Sequence, residues 1–106
     1  MDTGVDEVRV SCAFRAELWR WQARADTWVF VRLPQEESAL VREVPRPPRG
    51  FGAVPVAVVC GSSRWRTSVF PESADGAYVL PVKAAVRRRE GIDVGDEADF
   101  TLDVLG

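Results

Sequence analysis

Histidine is absent from the chain, and with it go the usual general base near neutral pH, the commonest metal ligand and every Ser-His or Cys-His nucleophile pair. Most familiar enzyme classes are thereby disfavoured. Cysteine is nearly as scarce: Cys12 and Cys60 stand 48 residues apart with no partner at metal-site spacing. Two cysteines in a cytosolic chain are expected to pack as small hydrophobes rather than to bridge. Neither G-x-G-x-x-G nor G-x-x-x-x-G-K-[ST] occurs, so Gly50, Gly52 and Gly61 match no phosphate-loop spacing. The segment Gly91 to Asp96 lacks the ordered oxygen ligands of an EF-hand loop and reads as a turn. No metal and no cofactor are expected. No apolar run approaches the roughly 18 residues that span a bilayer, and Met1 to Glu7 carries three acids where a secretory signal carries positive charge. A cytoplasmic protein without membrane association is the expectation.

What remains is ordinary for a folded domain. Of 106 residues, 46% are hydrophobic and 28% charged, which indicates neither disorder nor a fibrous architecture. A chain of this length buries about 65% of its unfolded surface, enough for one core. The expected organisation is an N-terminal extension over residues 1–12, flexible, and a single domain over residues 13–106. Lysine is represented by Lys83 alone against thirteen arginines, at a net charge of -2. Arginine suits carboxylate or phosphate recognition better than lysine does, although the same usage follows from a GC-rich genome.

Strand patterns dominate the chain. From Phe14 to Gln22, Phe14, Ala16 and Leu18 alternate with Arg15, Glu17 and Trp19, a period of two with apolar cover on both faces. Thr27 to Leu33 is β-branched and aromatic and reads as a buried strand, forming a hairpin with the first. Pro34 stops it, and Gln35 to Val44, with Glu36 and Glu37 early, predicts a short helix. Pro45, Pro47, Pro48, Gly50 and Gly52 form a breaker cluster that resets the chain direction. Val54 to Cys60 and Arg64 to Phe70 predict a second hairpin around Gly61-Ser62-Ser63, with Pro55 at an edge or early position. A loop from Pro71 to Gly76 leads to a strand over Ala77 to Leu80, then a helix over Val82 to Glu90 that Gly91 stops. Phe100, Leu102 and Val104 alternate with Thr101 and Asp103 as a last strand.

The two halves share a plan of hairpin, Leu-Pro step and short helix, with Leu33-Pro34 and Leu80-Pro81 47 residues apart. At the same offset Leu18 meets Trp65 and Val31 meets Tyr78. A diverged repeat would make a pseudo-two-fold barrel.

Four segments, FRAELWRW from Phe14, WVFVRLP from Trp28, WRTSVFP from Trp65 and YVLPVKAAVR from Tyr78, together with GIDVGDEADFTL from Gly91, resemble one bacterial family, domain-of-unknown-function family 1905. The likeness covers about nine tenths of the chain, in order. It implies a mainly β fold: a small double-split, Greek-key-like β-barrel of six or seven strands with two short helices capping it. It implies no established activity. The stretch from Leu80 to Leu102 also looks like the half-barrel of AbrB-type regulators, whose swapped-hairpin dimers bind DNA. This chain departs from them by holding both halves itself, and a fold does not fix a function.

Two residue sets are candidates for recognition. Arg66, Thr67 and Ser68, with Lys83 and Arg87, could converge their donors on a small anionic ligand. Arg64, Arg66 and Ser68 share one strand face and Trp65, Thr67 and Val69 the other, so only one set can line a cavity. The competing reading is a solvated strand face opposite a Trp-bearing core. The second set, Arg87, Arg88 and Arg89, is a basic patch at a helix end that suits nucleic acid, or merely complements the helix dipole. Trp19, Trp21, Trp28 and Trp65 are expected mainly as core, with a ligand or partner platform as the alternative. A non-catalytic domain binding a small anion or a protein partner is the leading expectation, as monomer or homodimer, and a DNA-binding regulator the second. An enzyme would need Arg, Asp, Ser or Cys to act without His, with Asp96 or Cys60 strongly perturbed.

Overall fold

The computed structural model describes residues 7–23, 26–44, 52–72 and 76–105. Seven strands, β1 (Val8–Glu17), β2 (Trp19–Ala23), β3 (Asp26–Arg32), β4 (Val54–Cys60), β5 (Ser63–Pro71), β6 (Tyr78–Pro81) and β7 (Glu97–Leu105), alternate with helices α1 (Gln35–Glu43) and α2 (Ala84–Glu90). The strands form one antiparallel sheet in the order β1-β7-β4-β5-β6-β3-β2, curled into a half-barrel. Its two edge strands, β1 and β2, are consecutive in the chain and joined through Leu18 alone.

The break at Leu18 explains why one expected strand becomes two. Leu18 is fully buried; its N–H donates to the Asp96 carbonyl at 2.9 Å and its carbonyl accepts from Gly95 N–H at 2.8 Å. Both backbone groups leave the strand ladder without going unsatisfied. The turn that receives them is built by its own acids: Asp93 N–H donates to Asp96 Oδ2 and Val94 N–H to Asp93 Oδ1. The segment expected as a turn is thus the clamp that redirects the chain from one sheet edge to the other. β1 also begins earlier than the Phe14 start expected, and residues 8–12 pair with β7 rather than forming an extension.

Valine and leucine alternation places the core inside the curl. Val29 and Val31 on β3, Val54, Val56 and Val58 on β4, Val69 on β5, Leu80 on β6 and Phe100, Leu102 and Val104 on β7 are all buried. Pro55 fits a central strand because β4 meets β7 only from Val56 onward, leaving an early position where no ladder donor is needed. The breaker cluster lies outside the described residues except for Gly52.

α1 packs on β1 and α2 on β5. α1 starts after Pro34 with Glu36 and Glu37 in its first turn, where the dipole favours negative charge. Its buried residues are Ser38 and Val41. Ser38 Oγ accepts from Tyr78 N–H at 3.0 Å and donates to the Leu33 carbonyl at 3.3 Å, which ties the helix to both halves. α2 begins at Ala84 rather than Val82 because Val82 N–H still continues the sheet, donating to the Val29 carbonyl. Gly91 ends it in the left-handed region at φ 66, with Ile92 N–H reaching back to the Arg87 carbonyl and Gly91 N–H to Arg88, the paired bonds of a Schellman motif. Glu90 then accepts from Ser62 N–H, Ser62 Oγ and Ser63 Oγ, fixing the helix end to the β4–β5 turn. Gly61 is required there: its φ is 59 and a Cβ would collide with the Glu90 carboxylate.

The β3–β6 ladder is locally symmetric about one residue pair. Arg32 pairs with Val79 and Val31 with Leu80, while Leu33 N–H donates to the Tyr78 carbonyl at 2.9 Å. Residues 47 apart therefore exchange places about the Arg32–Val79 pair. Val31 and Tyr78 exchange places within that ladder.

Candidate functional site

Two clefts open beside the Leu80-Pro81 corner. The first, of about 390 Å³, lies between β5, the end of β6 and α2. β5 contributes Trp65, Arg66 and Thr67, the corner Pro81 to Ala84, α2 Arg87, and β3 Trp28 and Val29. Four of the five residues singled out from sequence, Arg66, Thr67, Lys83 and Arg87, thus line one cleft. Ser68 does not; it sits opposite Pro55 on the paired side of the strand.

Strict alternation suggested that Arg66 and Thr67 could not serve the same cavity. They do, because β5 pairs with β6 only from Phe70 onward. Over 65–67 the strand runs as an open rim against α2, and a rim exposes side chains of both faces. Thr67 is half-buried and Arg66 exposed.

The cations are held differently. Arg87 is half-buried, donates from Nε to the Val82 carbonyl at 3.2 Å and carries Nη1 3.9 Å from Asp93 Oδ1. Its guanidinium is fixed before any ligand arrives, which limits the entropy lost on binding. Lys83, at the N-cap position of α2, is exposed and extended backbone leads into it. Arg88 and Arg89 are exposed and line neither cleft.

The second cleft, of about 590 Å³, lies on the outer face of β2, β3, β6 and β5. Trp19 and Trp21 stand opposite Phe30 and Trp28 across the β2–β3 ladder. Trp19 stacks on Phe30 with centroids 5.4 Å apart, Trp28 stacks on it from 6.2 Å, and Trp21 meets it edge-on at 6.4 Å. Phe70, Val79 and Pro81 complete the floor. Glu72, the one acid in this lining, is engaged twice by Arg32, whose Nε and Nη2 each lie 2.8 Å from its oxygens. The same guanidinium sits 5.5 Å above the Trp19 ring. The Trp19 indole Nε1 is buried without a hydrogen-bond partner.

The expectation that the tryptophans are mainly core needs correction here. Trp21 and Trp28 are 50% and 49% exposed, because Val29 and Val31 take the inward positions of β3 and send Trp28 and Phe30 outside. Trp65 alone of the four packs, half-buried, against the main core. The signal was present in sequence: β3 is apolar on both faces, and only one can face inward.

Among the described residues, no three Cys, Asp or Glu side chains gather as metal ligands. Burial, then the charges of Glu90 and Asp99, push the Cys60 thiol up; burial, then Glu37 and Asp103, do the same to Cys12. Neither cysteine is a ready thiolate. The cationic cleft holds donors, a hydroxyl and aromatic surface but no carboxylate or thiol among its described lining. That arrangement is suited to holding an anion.

No helix among the described residues is long and apolar enough to cross a membrane. No curated protein matches the chain. The family described as Domain of unknown function (DUF1905) matches over residues 14–102, a span that reaches every strand and takes in both clefts. The chain belongs to that family.

Proposed function

We propose that the protein is a non-catalytic binding domain whose cleft between β5 and α2 takes a small anion, as the residues singled out from sequence first suggested. The observation that carries this reading is the convergence of Arg66, Thr67, Lys83 and Arg87, from segments far apart in the chain, on one cleft with no acid among its described lining residues. Charge-assisted bonds from such donors contribute about 1.5–3 kcal/mol each where they are shielded from water. The test is a thermal-shift and calorimetric titration with acetate, citrate and inorganic phosphate. A ligand of the native state alone raises the melting temperature. The rise is expected in the wild type and lost in Lys83→Ala and Arg66→Ala; an equal rise in those variants, or none in the wild type, refutes the site.

A second reading, DNA binding through Arg87, Arg88 and Arg89, draws on the exposure of Arg88 and Arg89 at the end of α2. Arg87, turned into the cleft and bonded to Val82, supports it less. Duplex DNA bound with an affinity that falls steeply with salt, and lost in Arg88→Ala/Arg89→Ala but kept in Lys83→Ala, would put this reading in place of the first.

A further inference from the structure

The two clefts are not separate features. Trp28 and Pro81 line both, so the aromatic face and the cationic cleft meet along a single ridge. On one side lie Trp21 and Phe70, exposed and apolar; on the other lie Lys83 and Arg87. We propose that they are two halves of one site, and that its ligand is a flat aromatic carboxylate. Its rings would lie against Trp21, Trp28 and Phe70 and its carboxylate would reach Lys83 and Arg87. This deepens the anion-binding reading and rests on it.

Three observations favour that ligand over a plain anion or a plain hydrophobe. First, apolar rings left half-exposed beside a fixed cation suit a ligand with one apolar and one charged end; pockets for small molecules are mostly apolar, with few polar groups that set orientation. Second, the acid that would repel an anion from the aromatic side, Glu72, is neutralised by its double contact with Arg32. Third, Arg87 already leans on Asp93 at 3.9 Å, which reduces the net positive charge of the cleft and matches a monoanion better than a phosphate dianion. A planar body is favoured because Trp21 and Trp28 offer ring faces and edges, on which offset stacking adds to simple burial.

The experiment follows 2-naphthoate, acetate and the neutral 2-naphthalenemethanol by calorimetry and tryptophan fluorescence on the wild type, Lys83→Ala and Trp21→Ala. Trp21 is half-exposed on an edge strand, and its variant's folding is checked by circular dichroism and its melting midpoint. Naphthoate is expected to bind about tenfold or more tighter than either fragment, and to lose about that factor in each variant. If naphthoate is no tighter than acetate, or is indifferent to Trp21→Ala while still needing Lys83, the joint site is refuted and the anion cleft stands alone. Equal binding of naphthoate and the neutral alcohol, both indifferent to Lys83→Ala, also refutes it. If no anion binds at all, the anion reading falls with it. Self-association abolished by Trp21→Ala, measured by sedimentation, would assign the aromatic face to a second copy of the chain and overturn the proposal.

Discussion

Ser38→Ala should be among the most damaging conservative changes in the protein. Ser38 is 1% exposed, on the inner face of α1, and its hydroxyl serves as acceptor for Tyr78 N–H at 3.0 Å while donating to the Leu33 carbonyl. Removing the oxygen changes little volume but strips a buried backbone donor of its acceptor, a loss of about 1–3 kcal/mol. Taking about 2 kcal/mol, and about 4–8 °C per kcal/mol for a domain near 100 residues, the melting temperature should fall by roughly 8–16 °C. Ser38→Cys, with a weak sulfur acceptor of similar size, should fall less. Urea unfolding at fixed slope m checks that the change is one of stability and not of the compactness of the unfolded state. A Ser38→Ala protein that melts within about 2 °C of the wild type would mean that the bridge from α1 to β6 contributes nothing net.

Two further consequences can be read with the same instruments. Hydrogen bonds from Ser63, then Ser62, hold the Glu90 carboxyl below its ordinary value, so the stability they bring is complete above the usual carboxylate range and disappears as pH falls through the lowered value. The stability difference between wild type and Glu90→Gln, measured by denaturant titration between neutral and acid pH, should therefore shrink toward the acid end, and a difference constant with pH contradicts the assignment. Trp19→Phe keeps a ring stacked on Phe30 while deleting the unpaired indole N–H; its cost should stay below about 1 kcal/mol, well under the roughly 3–5 typical of losing a buried aromatic side chain, and a larger loss would show that the indole is satisfied in solution.

Local features were readable where local chemistry decides. β4 runs over the expected Val54–Cys60 because its alternation, turn and flanks agree, and α1 matches its Pro-led, acid-rich start. The end of α2 follows from Gly91. What could not be read depends on residues far apart. No glycine or proline marks the break at Leu18, since its cause lies at Gly95 and Asp96, far along the chain. The first five residues of β1 mix Val8 and Val10 with Arg9 and Ser11, and their strand character appears only when β7 supplies the ladder. α1 shows the limit of composition: Leu40, the largest apolar residue of the segment, is 37% exposed, whereas Ser38 is buried because it has bonds to make. The four cleft residues were nominated by type, but that β5 runs as an open rim at Arg66 and Thr67 follows from the strand order alone.

The two Leu-Pro corners differ in what their polar groups already do. Each Leu-Pro step is followed by a helix and flanked by a cleft; that at Leu33-Pro34 includes Arg32, Arg42 and Ser38. There the polar groups are already occupied. Arg32 holds Glu72, Arg42 Nη2 donates to the Gly76 carbonyl at 2.7 Å, and Ser38 joins Tyr78 to Leu33. At the other corner the equivalent positions, 47 residues on, replace Glu36 by Lys83 and Leu40 by Arg87, changing an acid and an apolar residue into two cations. The equivalent of Ser38 is Ala85, which is exposed and makes no clasp. At Leu80-Pro81 Arg87 keeps contacts with the Val82 carbonyl and Asp93, while Lys83 stands exposed beside it. On the binding reading, the ligand would take the place at Leu80-Pro81 that the protein's own polar groups fill at Leu33-Pro34.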